Sequence, residues 1–155
     1  MTPRHLTALT AAVLLLAGCG GDPEPTAAPT PAATSRAPLP PPLLVRGTFT
    51  LEQSTFTWSE KNRICAGVGG HDDIARGTRV IITDAAGVHL AVGKLDVGQP
   101  VIDPTDATRA TSCLFPFTIS GVPSGKGIYG VQVSRRDKVQ FDEVDLGKPI
   151  SLGVT

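Results

Sequence analysis

Aromatic side chains and net charge are both scarce in this chain of 155 residues. Phe, Trp and Tyr together make 5% of the sequence, and 14 Lys and Arg balance 14 Asp and Glu. Binding of single-stranded nucleic acid uses aromatic stacking platforms, and nucleic-acid binders as a class carry a basic surplus. The composition therefore argues against nucleic acid as a partner.

The sequence signatures of common enzymes are also missing. The chain has no Gly-x-Ser-x-Gly elbow, no Walker loop and no His-Glu-x-x-His pair. The paired carboxylates of a glycosidase leave no such signature, because the two residues meet only in space. We therefore expect no catalysis and no cofactor, and we keep a minor hydrolase or an accessory domain of an envelope enzyme as alternatives.

No apolar run reaches the roughly 20 residues that a membrane-spanning helix needs. The longest run, residues 6–17, is interrupted by two threonines, and Arg4 is the only charged residue before Asp22. A basic start, a short apolar middle and small residues at the end are typical of a signal peptide. We assign residues 1–18 to that leader.

The end of the leader, Leu16-Ala17-Gly18-Cys19, resembles a bacterial lipobox. The resemblance implies that the Cys19 thiol carries diacylglycerol with palmitate-type chains, and that cleavage makes Cys19 the first mature residue. Two or more acyl chains, at about 0.8 kcal/mol per buried methylene, give stable anchoring. We expect a lipoprotein held by membrane lipid on the extracytoplasmic face of the cell membrane. An ordinary signal peptide with an unmodified Cys19 is the alternative.

Proline is concentrated just after the leader, because residues 22–42 hold eight of the 14 prolines. The remainder of this stretch is mostly Ala, Thr, Ser and Gly, with no apolar face at the helical or strand period. Such a segment buries too little surface to offset its ordering entropy. We predict that residues 19–43 form a disordered, partly extended stalk. A Pro-rich docking site and a glycosylated stretch are alternatives.

Residues 44–155 have the size of one domain and lack any helical pattern of ten residues or more. Short alternating runs predict an all-β fold of about seven strands, a small immunoglobulin-like or transthyretin-like β-sandwich. A small β-barrel is the alternative. The runs cover residues 48–52, 78–83, 88–95, 113–119, 129–133, 139–141 and 150–152.

Two details of these strands follow from residue type. Residues 78–95 should form a hairpin, because Asp84 and Gly87 fit the first and fourth positions of a type I turn. In its second strand Val88, Leu90 and Val92 should share one side. Pro116 cannot donate to a β-ladder, which predicts an edge position or a bulge there.

Cysteine usage fits an exported domain. With Cys19 assigned to lipid, Cys65 and Cys113 remain as a pair, and disulfides persist outside the cytoplasm. We predict a structural disulfide rather than a redox pair, because redox sites favour close spacing. Closing this loop should stabilise the fold by about 4 kcal/mol in the chain-entropy model.

The sequence is also similar, over residues 47–153, to a β-rich module of actinobacterial cell-envelope proteins. The similarity rests on the segments 65–74, 77–80, 83–87, 113–119 and 128–131, and His71 departs from it where an aromatic is more usual. The resemblance implies an exported, disulfide-closed domain and no catalytic residues. We therefore expect a binding or structural module that contacts an envelope protein or glycan.

Some loops carry candidate site residues. Asp72 and Asp73 are weak candidate ligands for Ca²⁺, and a small-molecule or Ca²⁺ carrier is our alternative function. Their spacing is not that of an EF-hand, so hydrogen bonds within a tight turn are the favoured interpretation. The histidines at positions 71 and 89 are more typical of surface residues than of metal ligands.

Two further polar loops have structural interpretations. Asp103 and Asp106 should cap turns. The Arg135-Arg136-Asp137-Lys138 segment could contact an anionic lipid or polymer, but a solvated hairpin tip is favoured.

Overall fold

The computed structural model describes residues 38–154, which form ten strands and one short helix. The predicted leader, Cys19 and most of the predicted stalk lie outside these residues. The compact unit begins at Pro38, and its first strand starts at Leu43, beside the predicted boundary at residue 44. The elements are β1 (Leu43–Glu52), β2 (Phe56–Ser59), β3 (Ile64–Gly67), β4 (Arg79–Asp84), β5 (His89–Lys94), β6 (Gln99–Asp103), β7 (Asp106–Val122), β8 (Ile128–Val133), β9 (Val139–Asp142), α1 (Glu143–Leu146) and β10 (Ile150–Val154).

Two four-stranded sheets make a β-sandwich, which confirms the predicted fold class. The first has the order β10-β1-β7-β6 and the second the order β5-β4-β8-β9, while β2 and β3 form a separate two-stranded sheet. Strand β10 pairs with β1 in parallel, and the other neighbours are antiparallel. Both large sheets have edge strands, so the described domain is not a closed barrel.

The core forms where alternating strand residues face the opposite sheet. On β7 the buried side of the strand is the one predicted, whereas the intervening residues are partly or fully exposed. Each large apolar side chain removed from water stabilises the fold by about 1.5–3 kcal/mol. The buried residues of the central strands include Cys113, Phe115, Phe117 and Ile119 on β7, Tyr129, Val131 and Val133 on β8, and Val80 and Ile82 on β4.

Strand β5 packs closely over β7, and its inner face differs from the predicted one. The predicted hairpin is present, but Val88 and Val92 are 57% and 49% exposed. The register shifts between Ile82 and Thr83, so Gly93 comes to lie against the core. A Cβ at Gly93 would stand 2.5 Å from Ile119 Cγ1, so only glycine permits this close approach.

Pro116 lies within the long strand β7, where the partner on one side changes. Strand β6 pairs with β7 only from Leu114 towards Asp106, and beyond it the Asp96 N–H donates to the Pro116 carbonyl at 2.7 Å. The N–H and C=O groups of one strand residue point to the same side. The missing donor of Pro116 therefore falls on the side away from β1, at a local edge.

The predicted disulfide joins Cys65 on β3 to Cys113 on β7, with a Cα–Cα distance of 6.1 Å. Both cysteines are buried. The bond fastens the small β2–β3 sheet to the centre of the first large sheet.

The chain enters the sandwich at the end that carries the β7–β8 loop. The Ser124 hydroxyl donates to the Pro41 carbonyl at 2.8 Å, and Leu43 pairs with Val122. In the same loop the buried Tyr129 hydroxyl lies 2.9 Å from the Pro123 carbonyl. The β8–β9 turn therefore lies at the opposite end of the domain.

Candidate functional site

A cleft of about 370 Å³ opens between the two sheets at one side of the sandwich. It lies where β9 and β10, each an edge strand of its own sheet, leave the gap between the sheets uncovered. Its floor is apolar because inward-facing positions of β1, β8 and β10 meet there. The residues that line it are Phe49, Val131, Val133, Arg135, Arg136, Asp137, Val139, Leu152, Gly153 and Val154.

The cleft lies towards the far end of β1 from the point of chain entry. Phe49 is six residues beyond Leu43, which corresponds to about 20 Å along a strand. Its parallel partner Leu152 and the β8–β9 turn complete the cleft at this end. The cleft and the chain entry are thus on opposite ends of the domain.

The rim of the cleft is the β8–β9 turn, residues 134–138, and this turn is well ordered by hydrogen bonds. The Arg136 N–H donates to the Val133 carbonyl at 3.0 Å, and the Gln132 amide donates to the Arg136 carbonyl at 2.9 Å. Ser134 adopts a positive φ of 54°, which closes the turn. Arg135 and Asp137 line the cleft and are exposed to solvent.

Arg136 leaves the tip of this turn and binds the loop that contains the candidate calcium ligands. Its guanidinium donates to Asp73 Oδ1 at 2.6 Å and to the Gly70 carbonyl at 3.1 Å. Burial raises the pKa of Asp73, but hydrogen bonds from Ser134 and Arg136 outweigh burial and hold this pKa below its ordinary value of 3.8. The predicted solvated hairpin tip is therefore only partly solvated, because Arg136 is 23% exposed and paired.

The two candidate calcium ligands serve different contacts. Asp72 is exposed and accepts a long hydrogen bond of 3.4 Å from the Gly70 N–H, whereas Asp73 is neutralised by Arg136. Within residues 38–154, no three His, Cys, Asp or Glu side chains form a group that could hold a metal ion. The geometry favours the turn interpretation, and Ca²⁺ binding stays a prediction without support from these contacts.

The remaining sequence candidates lie elsewhere. His89 is exposed on β5, and His71 is half-buried in the loop before Ile74. Asp103 and Asp106 cap turns as predicted, since each carboxylate accepts from the N–H and the hydroxyl of a threonine two residues later. None of these residues lines the cleft.

A second depression, of about 390 Å³, lies beside the cleft, and its lining mixes polar and apolar side chains. Arg135 lines both cavities and so forms the boundary between them. Arg79 lines the second depression, and Lys94 is the direct cross-strand partner of Arg79 on β5. Sequence reasoning missed this arrangement, because its members lie on three separate strands and turns.

No family model matches the chain, and no curated protein or solved structure is significantly similar to it. The similarity to actinobacterial envelope modules therefore stays a prediction. None of the helices in the described part of the chain is long and apolar enough to cross a bilayer.

Proposed function

We propose that this protein is a lipid-anchored, extracytoplasmic β-sandwich that binds a component of the cell envelope and does not catalyse a reaction. The observation that carries the proposal is the buried disulfide between Cys65 and Cys113. Structural disulfides persist in exported domains and are rare in the cytoplasm. The bond uses two of the three cysteines and leaves Cys19 for acylation at the lipobox-like segment.

The shape of the domain supports binding over hydrolysis. Pockets that hold ligands are concave and mostly apolar, with a few polar groups that fix orientation. The cleft at β9 and β10 is concave, with an apolar floor and charged side chains at its rim. Asp137 is the one acidic residue among its described lining residues, whereas glycoside hydrolysis needs two carboxylates across the bond that is cleaved.

The anchor is tested by expressing the full chain in a bacterium that acylates lipoproteins, with an alkyne analogue of palmitate in the medium. We expect label on the wild-type chain, recovery in the membrane fraction and a diacylglyceryl mass on Cys19. The Cys19→Ala variant should lose the label. Cys65→Ala is the matched control, because it removes another cysteine and leaves the lipobox-like segment intact, so it should keep the label.

Two results would contradict the proposal. One is an unmodified Cys19 thiol in membrane-derived wild-type protein. The other is a wild-type domain in which Cys65 and Cys113 react with an alkylating reagent without prior reduction. Crosslinking in intact cells, followed by identification of the captured molecules, then tests whether the partner is an envelope protein or a glycan.

A further inference from the structure

The most exposed apolar side chains of the described domain lie together at the end where the chain enters. Leu39, Val144 and Val88 are 85%, 75% and 57% exposed, the three highest values among the large hydrophobic residues of the described part. Leu39 precedes β1, Val144 lies in α1, and Val88 lies in the turn between β4 and β5. Ile128 and Leu44, at the starts of β8 and β1, add side chains that are 42% and 40% exposed.

Hydrogen bonds and strand pairing show that these segments share one end of the sandwich. The β7–β8 loop, which binds the entering chain through Ser124, also contacts α1, because the Gly125 N–H donates to the Glu143 carboxylate at 2.8 Å. Asp84, the last residue of β4, pairs with Tyr129 near the start of β8, so the β4–β5 turn lies at the same end. We define the entry face by the segments that meet here, residues 38–44, 85–88, 123–128 and 143–148.

The charges in or beside the entry face nearly balance. Lys138 reaches this end from the β8–β9 turn, since a Cβ at Gly87 would stand 3.8 Å from the ammonium nitrogen of Lys138. Asp145 and Lys148 are in direct contact at 2.8 Å. Attraction to anionic lipid or nucleic acid requires a positive excess, and this surface has none. The three lysines are Lys126, Lys138 and Lys148, and the four carboxylates are Asp84, Asp142, Glu143 and Asp145.

The chain that lies outside the described residues ends at the entry face. Pro38, where the compact domain begins, is 19 positions after Cys19. A chain of this length reaches at most about 65 Å, even when it is fully extended. An acylated Cys19 would therefore keep the entry face near the bilayer.

We propose that the entry face rests on the extracytoplasmic surface of the membrane, with Leu39, Val88 and Val144 inserted among the lipid headgroups. Apolar side chains of a surface element enter the boundary between headgroups and acyl chains to a depth of about 5–10 Å. This inference rests on the proposed function, because the acyl chains at Cys19 bring the domain to the bilayer. It goes beyond that function in giving the domain a fixed orientation, with the cleft directed away from the membrane.

A weak contact is enough at this position. A short link to the bilayer gives an effective concentration in the millimolar range, so a contact with a Kd of about 1 mM is occupied about half of the time. Each valine or leucine that enters the lipid should tighten the contact about five-fold. Three such side chains together should tighten it about 100-fold, without help from charge.

The test uses the full chain, acylated in cells and reconstituted into nanodiscs of phosphatidylcholine that carries a diazirine high on one acyl chain. After irradiation, mass spectrometry of the digested protein should find crosslinked lipid in peptides that contain residues 38–44, 85–88 and 143–148. Peptides that contain the β8–β9 turn, at the opposite end, should be free of label. Replacement of half of the lipid by anionic phosphatidylglycerol should change the labelling less than two-fold, because the face has no positive excess.

A matched pair of triple variants identifies the side chains that carry the contact. The first variant should lower labelling at least ten-fold, and it combines Leu39→Gln, Val88→Gln and Val144→Gln. The control should label like the wild type, because its three apolar residues are 44%, 49% and 39% exposed elsewhere on the domain, and it combines Ile64→Gln, Val92→Gln and Val101→Gln. Leu39→Gln alone, which lies outside every strand, should lower labelling about five-fold. Thermal unfolding of each variant checks that the fold is retained.

Three results would overturn the proposal. They are labelling spread evenly over the domain, a first triple variant that labels like the wild type, and labelling that requires phosphatidylglycerol. A dimer of the unlipidated Cys19→Ala chain that the first triple variant dissociates would also overturn it, because it would assign the entry face to a second copy of this chain.

The mass of the peptide that contains Cys19 separates this inference from the proposed anchor. A lipidated Cys19 without label on the entry face contradicts the orientation alone. If Cys19 carries no lipid, the same chain is coupled through the Cys19 thiol to a maleimide lipid in the nanodisc. Label on the entry face of that sample supports the orientation while the free Cys19 contradicts the anchor.

Discussion

The carboxylate of Asp73 determines how two loops of the domain meet. From the sequence it is a candidate calcium ligand beside Asp72, yet its contact in the folded chain is the guanidinium of Arg136, 63 residues further on. Judged by sequence spacing, Asp73 would share a cation with its neighbour Asp72. Arg136 is distant in the sequence and comes close only when β8 and β9 form their turn. Asp73 thereby holds the rim of the cleft in place.

Replacement of Asp73 by Asn should lower the free energy of unfolding by about 1–3 kcal/mol at neutral pH, because Arg136 loses a charged partner in a mostly buried position. Urea unfolding at several pH values measures this loss. The pKa of Asp73 is lowered in the folded state, so its stabilisation is complete above 3.8 and is lost as pH falls through the lowered pKa. The difference between variant and wild type should therefore shrink in acid.

The matched control for this prediction is Asp145→Asn. Asp145 and Lys148 also form an ion pair at 2.8 Å, but their side chains are 58% and 65% exposed. Exposed pairs contribute little, so the control should change the unfolding free energy by less than about 1 kcal/mol. An equal change in the free energy of unfolding for both variants would contradict the larger contribution expected of the Asp73–Arg136 pair.

A second residue with a specific role is Gly67, at the end of β3. A Cβ there would collide with the backbone carbonyl of His71, which no side-chain rotation can relieve. Gly67→Ala should therefore reduce the free energy of unfolding by about 1–3 kcal/mol or more. Gly147→Ala is the control, because its Cβ would meet only ordinary contacts of 3.6 Å and its φ is −71°. Equal unfolding temperatures for the two variants would contradict the predicted collision at Gly67.

At the scale of elements, alternation of apolar residues predicted seven of the ten described strands. It missed β2, β3 and β6. The first two are only four residues long, so even the alternation of Phe56 and Trp58 with polar neighbours in β2 is too short to mark a strand. Strand β6 contains Pro100 and begins in a polar segment. Their pairing depends on contacts with other strands and on the disulfide, which local sequence does not encode.

The faces of a strand are harder to predict than its existence. The hairpin of β4 and β5 is correct, but Val92 is exposed because the register shifts at Ile82 and Thr83, and Val88 is exposed in the turn before β5. A one-residue shift exchanges the two faces of a strand. Nothing in the local sequence pattern marks this shift. Gly93 permits close contact with Ile119, but the need for glycine at this position becomes visible only once the two sheets are packed.

The disulfide between β3 and β7 should make a large contribution to stability. Its sequence separation of 48 gives about 4 kcal/mol in the chain-entropy model. The double variant Cys65→Ala, Cys113→Ala should lose about this amount in urea unfolding at neutral pH. Wild-type protein in excess reductant is the matched comparison, and it should unfold near the same urea concentration as the variant. A reduced protein as stable as the oxidised one would contradict this prediction.

At the scale of the whole molecule, the chain entry and the cleft occupy opposite ends of the sandwich. One continuous leader predicts the localisation of the protein. No comparable segment of the sequence predicts the cleft. Its lining comes from positions near 49, 131–139 and 152–154, which share no motif. Their common feature is a place at the open edge between two sheets, and that edge exists only once the strand order is set.

The pH dependence of stability should reflect groups spread over the whole domain. Hydrogen bonds from threonines hold the pKa values of Asp103 and Asp106 below their ordinary values. Burial raises the pKa of Glu143, but the Gly125 N–H and the Tyr129 hydroxyl outweigh it and hold the pKa below 4.5. With Asp73, these carboxyls stabilise the fold above their ordinary pKa values and lose that contribution as pH falls through the lowered ones. Urea unfolding should show a plateau near neutral pH and a decline below about pH 4.

The alkaline side of this profile should depend on Tyr129. Burial raises the pKa of its hydroxyl above 10.0, and Glu143 adds to the effect. A raised pKa in the folded state stabilises the fold below pH 10.0, and this contribution is lost as pH rises towards the raised pKa. Tyr129→Phe should therefore show a smaller alkaline loss of stability than the wild type. Because Tyr129 is the only tyrosine, tyrosinate absorbance reports its ionisation directly. Tyrosinate that forms at its ordinary pKa while the domain stays folded would contradict the buried hydroxyl that closes the β7–β8 loop.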